Sequence, residues 1–284
     1  RYHMKFNAYA KLNMLLNVHG KYFNGYHSIE SVMLPISLCD ILDIEILPNS
    51  NDIVILSTEP SIPTDERNIL HKCGKLFQKH FNISDGFKII LYKNIPVQSG
   101  LGGESADAAC FMHFMNSKYN LSLSYESIFY LGRLLSWDVP ICYLQKCIYI
   151  HDKKKICEVL NINSKLYFLL VMPEFGISTK KAFENLDKIE YQNVEAYSLI
   201  NVLLTHPNQA GLHIHNCFIQ ADPRLMNEYF KFKKLSTQIG FDGVSLTGTG
   251  SCFFFMTTKE SVLINGYSYF KELYPFVCTA SLIL

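Results

Sequence analysis

Between an apolar run at 87–92 and a helical stripe beginning at Ala106 lies the string Asn94-Ile95-Pro96-Val97-Gln98-Ser99-Gly100-Leu101-Gly102-Gly103-Glu104-Ser105. Glycines at 100, 102 and 103 permit a turn with positive φ and leave main-chain N–H groups uncovered. A helix starting directly after them adds unpaired N–H groups and a partial positive charge. The combination is a cradle for an anion, well suited to a triphosphate. No Gly-Lys-Ser/Thr ends the string, so it is not a Walker loop. It also lacks the final glycine and the surrounding βαβ unit of a dinucleotide site. By glycine content alone, the same string would serve as an ordinary turn capping a helix.

Other residues have types and spacings that suit chemistry. Lys11 and Asn13, two apart in an alternating run, share one face of a strand and can reach one site. Asn24-Gly25 is a hairpin-turn signal that would present Tyr26 and His27. Thr247-Gly248-Thr249-Gly250-Ser251 is a second glycine turn, set between two short apolar runs. His213, His215 and Cys217 alternate as zinc ligands could, yet no fourth ligand at regular spacing accompanies them. A dedicated metal site is therefore not expected.

These residues need elements to position them. Alternation predicts a half-buried strand over 10–18, with Leu12, Met14, Leu16 and Val18 inward, and further strands at 42–46, 53–56 and 87–92. Helical spacing follows Asp65-Glu66, which suit a positive helix start, with Ile69, Leu70, Cys73, Leu76 and Phe77 as the stripe. More helices are predicted from Ala106, over 125–135, from a Ser178 cap through Leu186, over 195–204, over 223–239 and from Glu260. Strands are predicted within 147–160 and at 165–172, 244–246, 252–256 and 277–284. Strands mixed with runs of helices indicate an α+β fold, divided softly near residue 158.

Composition narrows the class. Hydrophobic residues make up 49% and charged residues 18% of 284 residues, enough apolar material for a large core and too little charge for disorder. The formal charge of +1 carries no basic block, so binding through nucleic-acid phosphates is not expected. Nine cysteines without a Cys-x-x-Cys pair read as thiols in a reducing compartment. No apolar run approaches the length of a membrane span. The opening Arg1-Tyr2-His3-Met4 reads either as a remnant before a native Met4 or as the end left by trimming a precursor. A bacterial cytoplasm, or a plastid-like organelle after such trimming, is the expected location.

Four strings, in order along the chain, carry a family resemblance. Pro96 to Ser105 resembles the phosphate-binding motif of the GHMP kinases, Pro-x-x-x-Gly-Leu-Gly-Gly-x-Ser. Ala10-Lys11-Leu12-Asn13, with Gly20-Lys21 and Asn24-Gly25-Tyr26-His27, resembles the first motif of the kinases that act on 4-diphosphocytidyl-2-C-methylerythritol. Trp137-Asp138-Val139-Pro140 is similar to their Ala-Asp-Val-Pro, and Leu246 to Cys252 to the superfamily's third motif. The resemblance implies a two-domain α+β fold. Residues 1–158 would form a ribosomal-protein-S5-like ATP-binding domain, and 159–284 a ferredoxin-like domain.

The resemblance also implies roles. Asp138 would accept the proton of a substrate hydroxyl, and Lys11 would stabilise charge on the transferred phosphoryl. Asn13, Tyr26, His27, Phe183 and Ser178 would hold a cytidyl substrate, with the base stacked between aromatic faces. Pro96, Gly100, Leu101, Gly102, Gly103 and Ser105 would hold the phosphates of ATP, Asn68 and Lys93 would line the adenine pocket, and Gly248, Thr249 and Gly250 would close the site. Mg²⁺ would arrive with ATP. The partner is a small cytidyl molecule, with neither nucleic acid nor membrane, and the chain is expected as a monomer or weak homodimer.

Two departures keep other readings open. Glu104 stands where the family has glycine, beside Ala106 in place of serine, and Ser136-Trp137 replaces Gly-Ala ahead of Asp138. Another GHMP kinase, for homoserine or mevalonate, and a ligand-binding protein that keeps the fold without turnover are the alternatives.

Overall fold

A computed structural model describes residues 3–283. These residues fall into two compact units of interleaved sequence. Among them, one comprises 3–10, 38–95 and 102–145; the other comprises 11–37, 96–101 and 146–283. Two long strands, β1 (Met4–Lys21) and β2 (His27–Leu47), run through both. They are hydrogen-bonded neighbours, joined by a turn in which the Tyr22 and Gly25 N–H groups donate to Tyr26 and Tyr22. Both extend well beyond the alternating segments visible in the sequence.

In the first unit, β2 pairs antiparallel with β4 (Gly86–Tyr92), and β4 pairs parallel with β3 (Ile53–Ser57). Helices α1 (Ile69–Phe81), α2 (Gly103–Lys118), α3 (Tyr125–Leu135) and α4 (Val139–Leu144) complete it. Asn68 caps α1, its Oδ1 accepting from the Leu70 N–H at 2.8 Å, and no acidic residue occupies the first turn. Asp65, expected to serve the helix start, instead forms a local turn with Arg67. Helix α2 is buried on nearly every side, from Ser105 through Met115, so its apolar residues occupy more than one stripe. Its own Phe111 and Phe114 meet Phe87 of β4 edge-on, with Phe77 of α1 in the same core. The short α4, which starts with proline at its second position, is not visible as a periodic pattern because six residues hold too few turns.

In the second unit, β2 also pairs antiparallel with β5 (Ile148–His151), which pairs with β6 (Ile156–Val159). β1 pairs parallel with β8 (His215–Asn216). A separate antiparallel sheet has the order β11-β7-β10-β9, formed by Phe276–Ser281, Tyr167–Met172, Phe253–Thr257 and Gly243–Leu246. On it pack α7 (Pro223–Ile239) and α8 (Glu260–Phe270), while α5 (Thr179–Leu186) packs on the 3-10 turn Cys217–Ala221 and α6 (Ala196–Thr205) on the one at Pro207–Leu212. Phe232, Phe253, Phe255 and Phe270 meet edge-on or tilted at the centre of this core. The mixed helix-and-sheet class is as the sequence indicates. No described helix is long and apolar enough to cross a membrane.

Candidate active site

Within the second unit, three motifs distant in sequence are joined by hydrogen bonds. Lys11 Nζ donates to Asn13 Oδ1 at 2.6 Å and to the Gly100 carbonyl at 3.1 Å. The Lys11 N–H donates to Leu101 O at 3.0 Å. The Asn13 N–H donates to Thr247 Oγ1 at 3.1 Å, and the Gly248 N–H returns to Asn13 Oδ1 at 3.0 Å. Thr247 Oγ1 in turn donates to Gly100 O at 3.3 Å. Asn13 Nδ2 is held by Ser31 Oγ at 2.8 Å.

This network explains why the strand is not half-buried as its alternation suggests. Lys11, Asn13 and Asn17 are all buried, because each polar group on that face finds a partner.

The close approach of the two glycine turns rests on backbone geometry. Gly100 has φ +79° and Gly248 has φ +55°, both left-handed. A Cβ on Gly248 would stand 2.6 Å from Gly100 O, and one on Gly100 would overlap the Thr247 carbonyl. Ser251 and Cys252 N–H groups donate to Gln98 and Ser99 carbonyls at 3.2 and 3.0 Å, continuing the contact. Asn216 Nδ2 braces the far side, donating to Leu246 O and Gly248 O at 2.9 and 2.8 Å.

The same unit holds the aromatic residues. Tyr26 is 74% exposed. The His27 ring stacks on Phe183 at 4.3 Å between centroids, and its Nε2 meets Asp187 Oδ1 at 2.8 Å. Lys21 also pairs with Asp187. Burial pushes the Asp187 carboxyl up, but the bonds to Lys21 and His27 outweigh it and hold the group below its ordinary range. The stack is thus His27 on Phe183 rather than Phe183 facing an open slot. Ser178 caps α5, its Oγ accepting from the Lys181 N–H. Thr249 Oγ1 lies 3.5 Å from Thr179 Oγ1. Asp187 escaped the sequence reading, although its place four residues after Phe183 is the spacing of one helix face.

In the first unit, Gly102 is the cap of α2, with φ 71° and no side chain to satisfy the first N–H groups. Those of Gly103, Glu104 and Ser105 have no acceptor within the helix. Glu104 points its carboxylate into an exposed position, and Ser105 Oγ shares a 2.7 Å hydrogen bond with Ser136 Oγ. Ser136 ends α3, two residues before Asp138, so the serine pair ties the start of α2 to the Asp138 turn. Asp138 is half-buried at the N-cap of α4 without capping it through its side chain. Trp137 is held by Arg133, whose guanidinium carbon lies 4.4 Å from the ring centroid.

Lys93 is buried in a triad with Asp40 and with Asp107, the latter at 3.0 Å. Asn94 and Ile95 N–H groups donate to Asp40 at 2.6 and 2.8 Å. Burial drives the Asp107 carboxyl well above its ordinary range, against the pull of Lys93 and with the push of Asp40. Asn68 and Lys93 therefore both spend their side chains inside this unit. Asn68 Nδ2 donates to Pro63 O at 2.8 Å. The His213–Cys217 stretch gathers no ligand set among the described residues: His215 Nε2 meets Gln192 O at 2.9 Å.

Comparison with known proteins places this arrangement. The family model for the GHMP kinases N terminal domain matches residues 68–146. A 4-diphosphocytidyl-2-C-methyl-D-erythritol kinase of Clostridium beijerinckii is 33% identical over 259 residues, covering 88% of this chain and 90% of that one. The kinase of the same name from Clostridium perfringens is 35% identical over 209 residues, covering 74% and 68%. A crystal structure of 4-(cytidine 5'-diphospho)-2C-methyl-D-erythritol kinase superposes with a TM-score of 0.80 at 21% identity, over 98% of this chain and 99% of that chain. The fold agrees with that structure and the sequence matches these relatives over most of its length, so the chain belongs to the 4-diphosphocytidyl-2-C-methyl-D-erythritol kinase family of the GHMP kinases.

Proposed function

We propose that this chain transfers the γ-phosphoryl group of ATP to the 2-hydroxyl of 4-diphosphocytidyl-2-C-methyl-D-erythritol, a step of non-mevalonate isoprenoid precursor synthesis. The observation that carries the reading is the bonded set Lys11, Asn13, Gly100, Thr247 and Gly248, which joins three kinase motifs in a chain of this family.

Phosphoryl transfer depends on positioning and on stabilising charge at the phosphoryl oxygens. The bare N–H groups from Gly102 to Ser105 receive the phosphates. Lys11, oriented by Asn13 and the Gly100 carbonyl, faces the charge that develops on the transferred group. Asp138 takes the proton of the substrate hydroxyl as its oxygen bonds to the γ-phosphorus. The bond from phosphorus to the β–γ bridging oxygen breaks, and ADP leaves with that electron pair. Tyr26, His27 and Phe183 recognise the cytosine, with Asp187 fixing the imidazole. Asn68 and Lys93 support the adenine side through the walls they build, since their own polar atoms are committed.

Mg²⁺ would meet oxygen donors, the Ser105 hydroxyl and the Glu104 carboxylate, a set that suits a hard dication. When bound it neutralises phosphate charge. Glu104, unlike glycine, would then serve as an added oxygen donor beside the phosphates.

The test is ADP release measured with the cytidyl substrate, mevalonate and homoserine in parallel. Turnover with the cytidyl substrate alone is expected. Turnover with mevalonate or homoserine instead would replace the substrate assignment. Nucleotide binding by calorimetry with no product from any of the three would favour a non-catalytic binding protein.

A further inference from the structure

One cluster of metal-ligating side chains stands apart from every residue used above. His19 near the end of β1, Glu30 on β2 and His151 at the end of β5 bring one ligand atom each to within 4.8 Å of one another. It is the one such cluster among the described residues. His19 Nε2 lies 2.6 Å from Glu30 Oε2, and the two imidazole rings stack with centroids 4.9 Å apart and planes 8° from parallel.

The carboxylate is built into place. Tyr149 OH donates to Glu30 Oε1 at 2.8 Å, and Asn17 Nδ2 donates to Glu30 Oε2 at 2.9 Å. Asn17 is itself fixed by the main chain of Val194.

His151 supplies the independent observation. It is 5% exposed, and its Nδ1 is buried with no hydrogen-bond partner. Buried polar atoms are seldom left so, and each exception calls for a reason such as an ion.

We propose that His19, Glu30 and His151 form a binding site for a divalent transition metal of the zinc class, sharing no residue with the proposed kinase machinery. Two imidazole nitrogens and a carboxylate are a three-ligand set that zinc accepts with a fourth position open. Tyr149 and Asn17 act on the carboxylate as outer-shell partners do at such centres. The depression beside the cluster is lined by Val18, Tyr191, Asn193, Lys153 and Lys154, and Lys153 Nζ donates to the His19 carbonyl at 2.7 Å. Two ammonium groups there favour an anion or hydroxide in the open position. Magnesium, which prefers oxygen donors and retains its waters, is not a competitor.

The experiment titrates ZnCl₂ into the chelator-treated full chain by calorimetry, beside His19→Ala, His151→Ala and Tyr149→Phe, with Co²⁺ spectra in parallel. Wild type is expected to take up one tight equivalent that excess Mg²⁺ does not displace. His19→Ala and His151→Ala should each lose at least about 10-fold in affinity, and Tyr149→Phe about 10-fold, as outer-shell losses do. The Co²⁺ spectrum should lack a thiolate charge-transfer band, which excludes the nine cysteines. No uptake by wild type, undiminished uptake by His19→Ala, or a thiolate band would each overturn the proposal. His19 is partly exposed, so His19→Ala decides the matter even where His151→Ala fails to fold.

Discussion

Lys11 is asked to do two things at once. Its ammonium already donates to Asn13 and Gly100, and in turnover it would also meet the transferred phosphoryl group. Lys11→Ala should therefore lower kcat by about 10²–10³, the scale of losing one preorganised charge-stabilising donor, with ATP affinity falling far less. Asp138→Asn should cost about 10²–10⁴ in kcat as a lost general base. Steady-state kinetics beside nucleotide calorimetry separates the two effects; retention of wild-type kcat by either variant rejects its role.

Tyr26→Ala should act on KM. Base stacking is worth about 1–3 kcal/mol, so KM for the cytidyl substrate should rise by about 5–150-fold at nearly constant kcat. Asp187→Asn tests the imidazole hold. It removes the charge that pairs with His27 and Lys21, and KM should again rise while the melting temperature changes little. An unaltered KM in both variants would remove the cytidyl pocket from this part of the chain.

At the scale of elements, the buried triad pins the end of β4 to β2 and α2. Two carboxylates share one ammonium there, so one negative charge is surplus. Asp40→Ala should destabilise by about 1–3 kcal/mol, because Lys93 keeps Asp107 as its partner while the buried Ile95 N–H loses its acceptor. Asp107→Asn should behave oppositely. A carboxyl whose folded pKa is raised stabilises the fold below its unfolded pKa and loses that contribution as pH rises through the folded value. Denaturant melts should thus show Asp107→Asn gaining on wild type from mildly acidic to alkaline pH, with no gain in acid below the ordinary carboxylate range. A gain that grows toward acid would contradict the direction.

Elements were unevenly legible in the sequence. Helix α7 carries an Asp222 cap, proline at its first position and Gly240 beyond its end, so local chemistry alone bounds it. β1 and β2 reach 18 and 21 residues, and their extra length comes from tertiary pairing that no alternation encodes. The glycine turns were legible as turns, since positive φ demands glycine. That the turn at Gly100 meets the turn at Gly248 beside Asn13 and Thr247 was not, because spatial adjacency across more than a hundred residues leaves no periodic trace. Asn68 and Lys93 illustrate the reverse: polar residues near a motif whose side chains go to a helix cap and an ion triad.

For the molecule as a whole, the interleaving of the two units decides how the chain can be divided. Residues 11–37 supply the strands that pair with β5 and β8 in the second unit. A fragment 159–284 lacks those strands together with β5 and the 96–101 loop. It should show no cooperative urea transition and weak near-ultraviolet dichroism, as expected when secondary structure persists without fixed packing. A sharp two-state melt of that fragment would establish the 1–158 and 159–284 division as one of independent domains.

The last described strand is stitched to one of the first. Ile36 bridges Leu282, the Ile283 N–H donates to Pro35 O at 3.1 Å, and the Ser281 N–H donates to Ser37 Oγ at 2.9 Å. On the ribosome, then, the Pro35–Ser37 stretch of β2 cannot close this seam until residues 281–283 have emerged, at least 244 residues later. Until that moment the exposed backbone at this point is a place where a partly folded chain can pair wrongly.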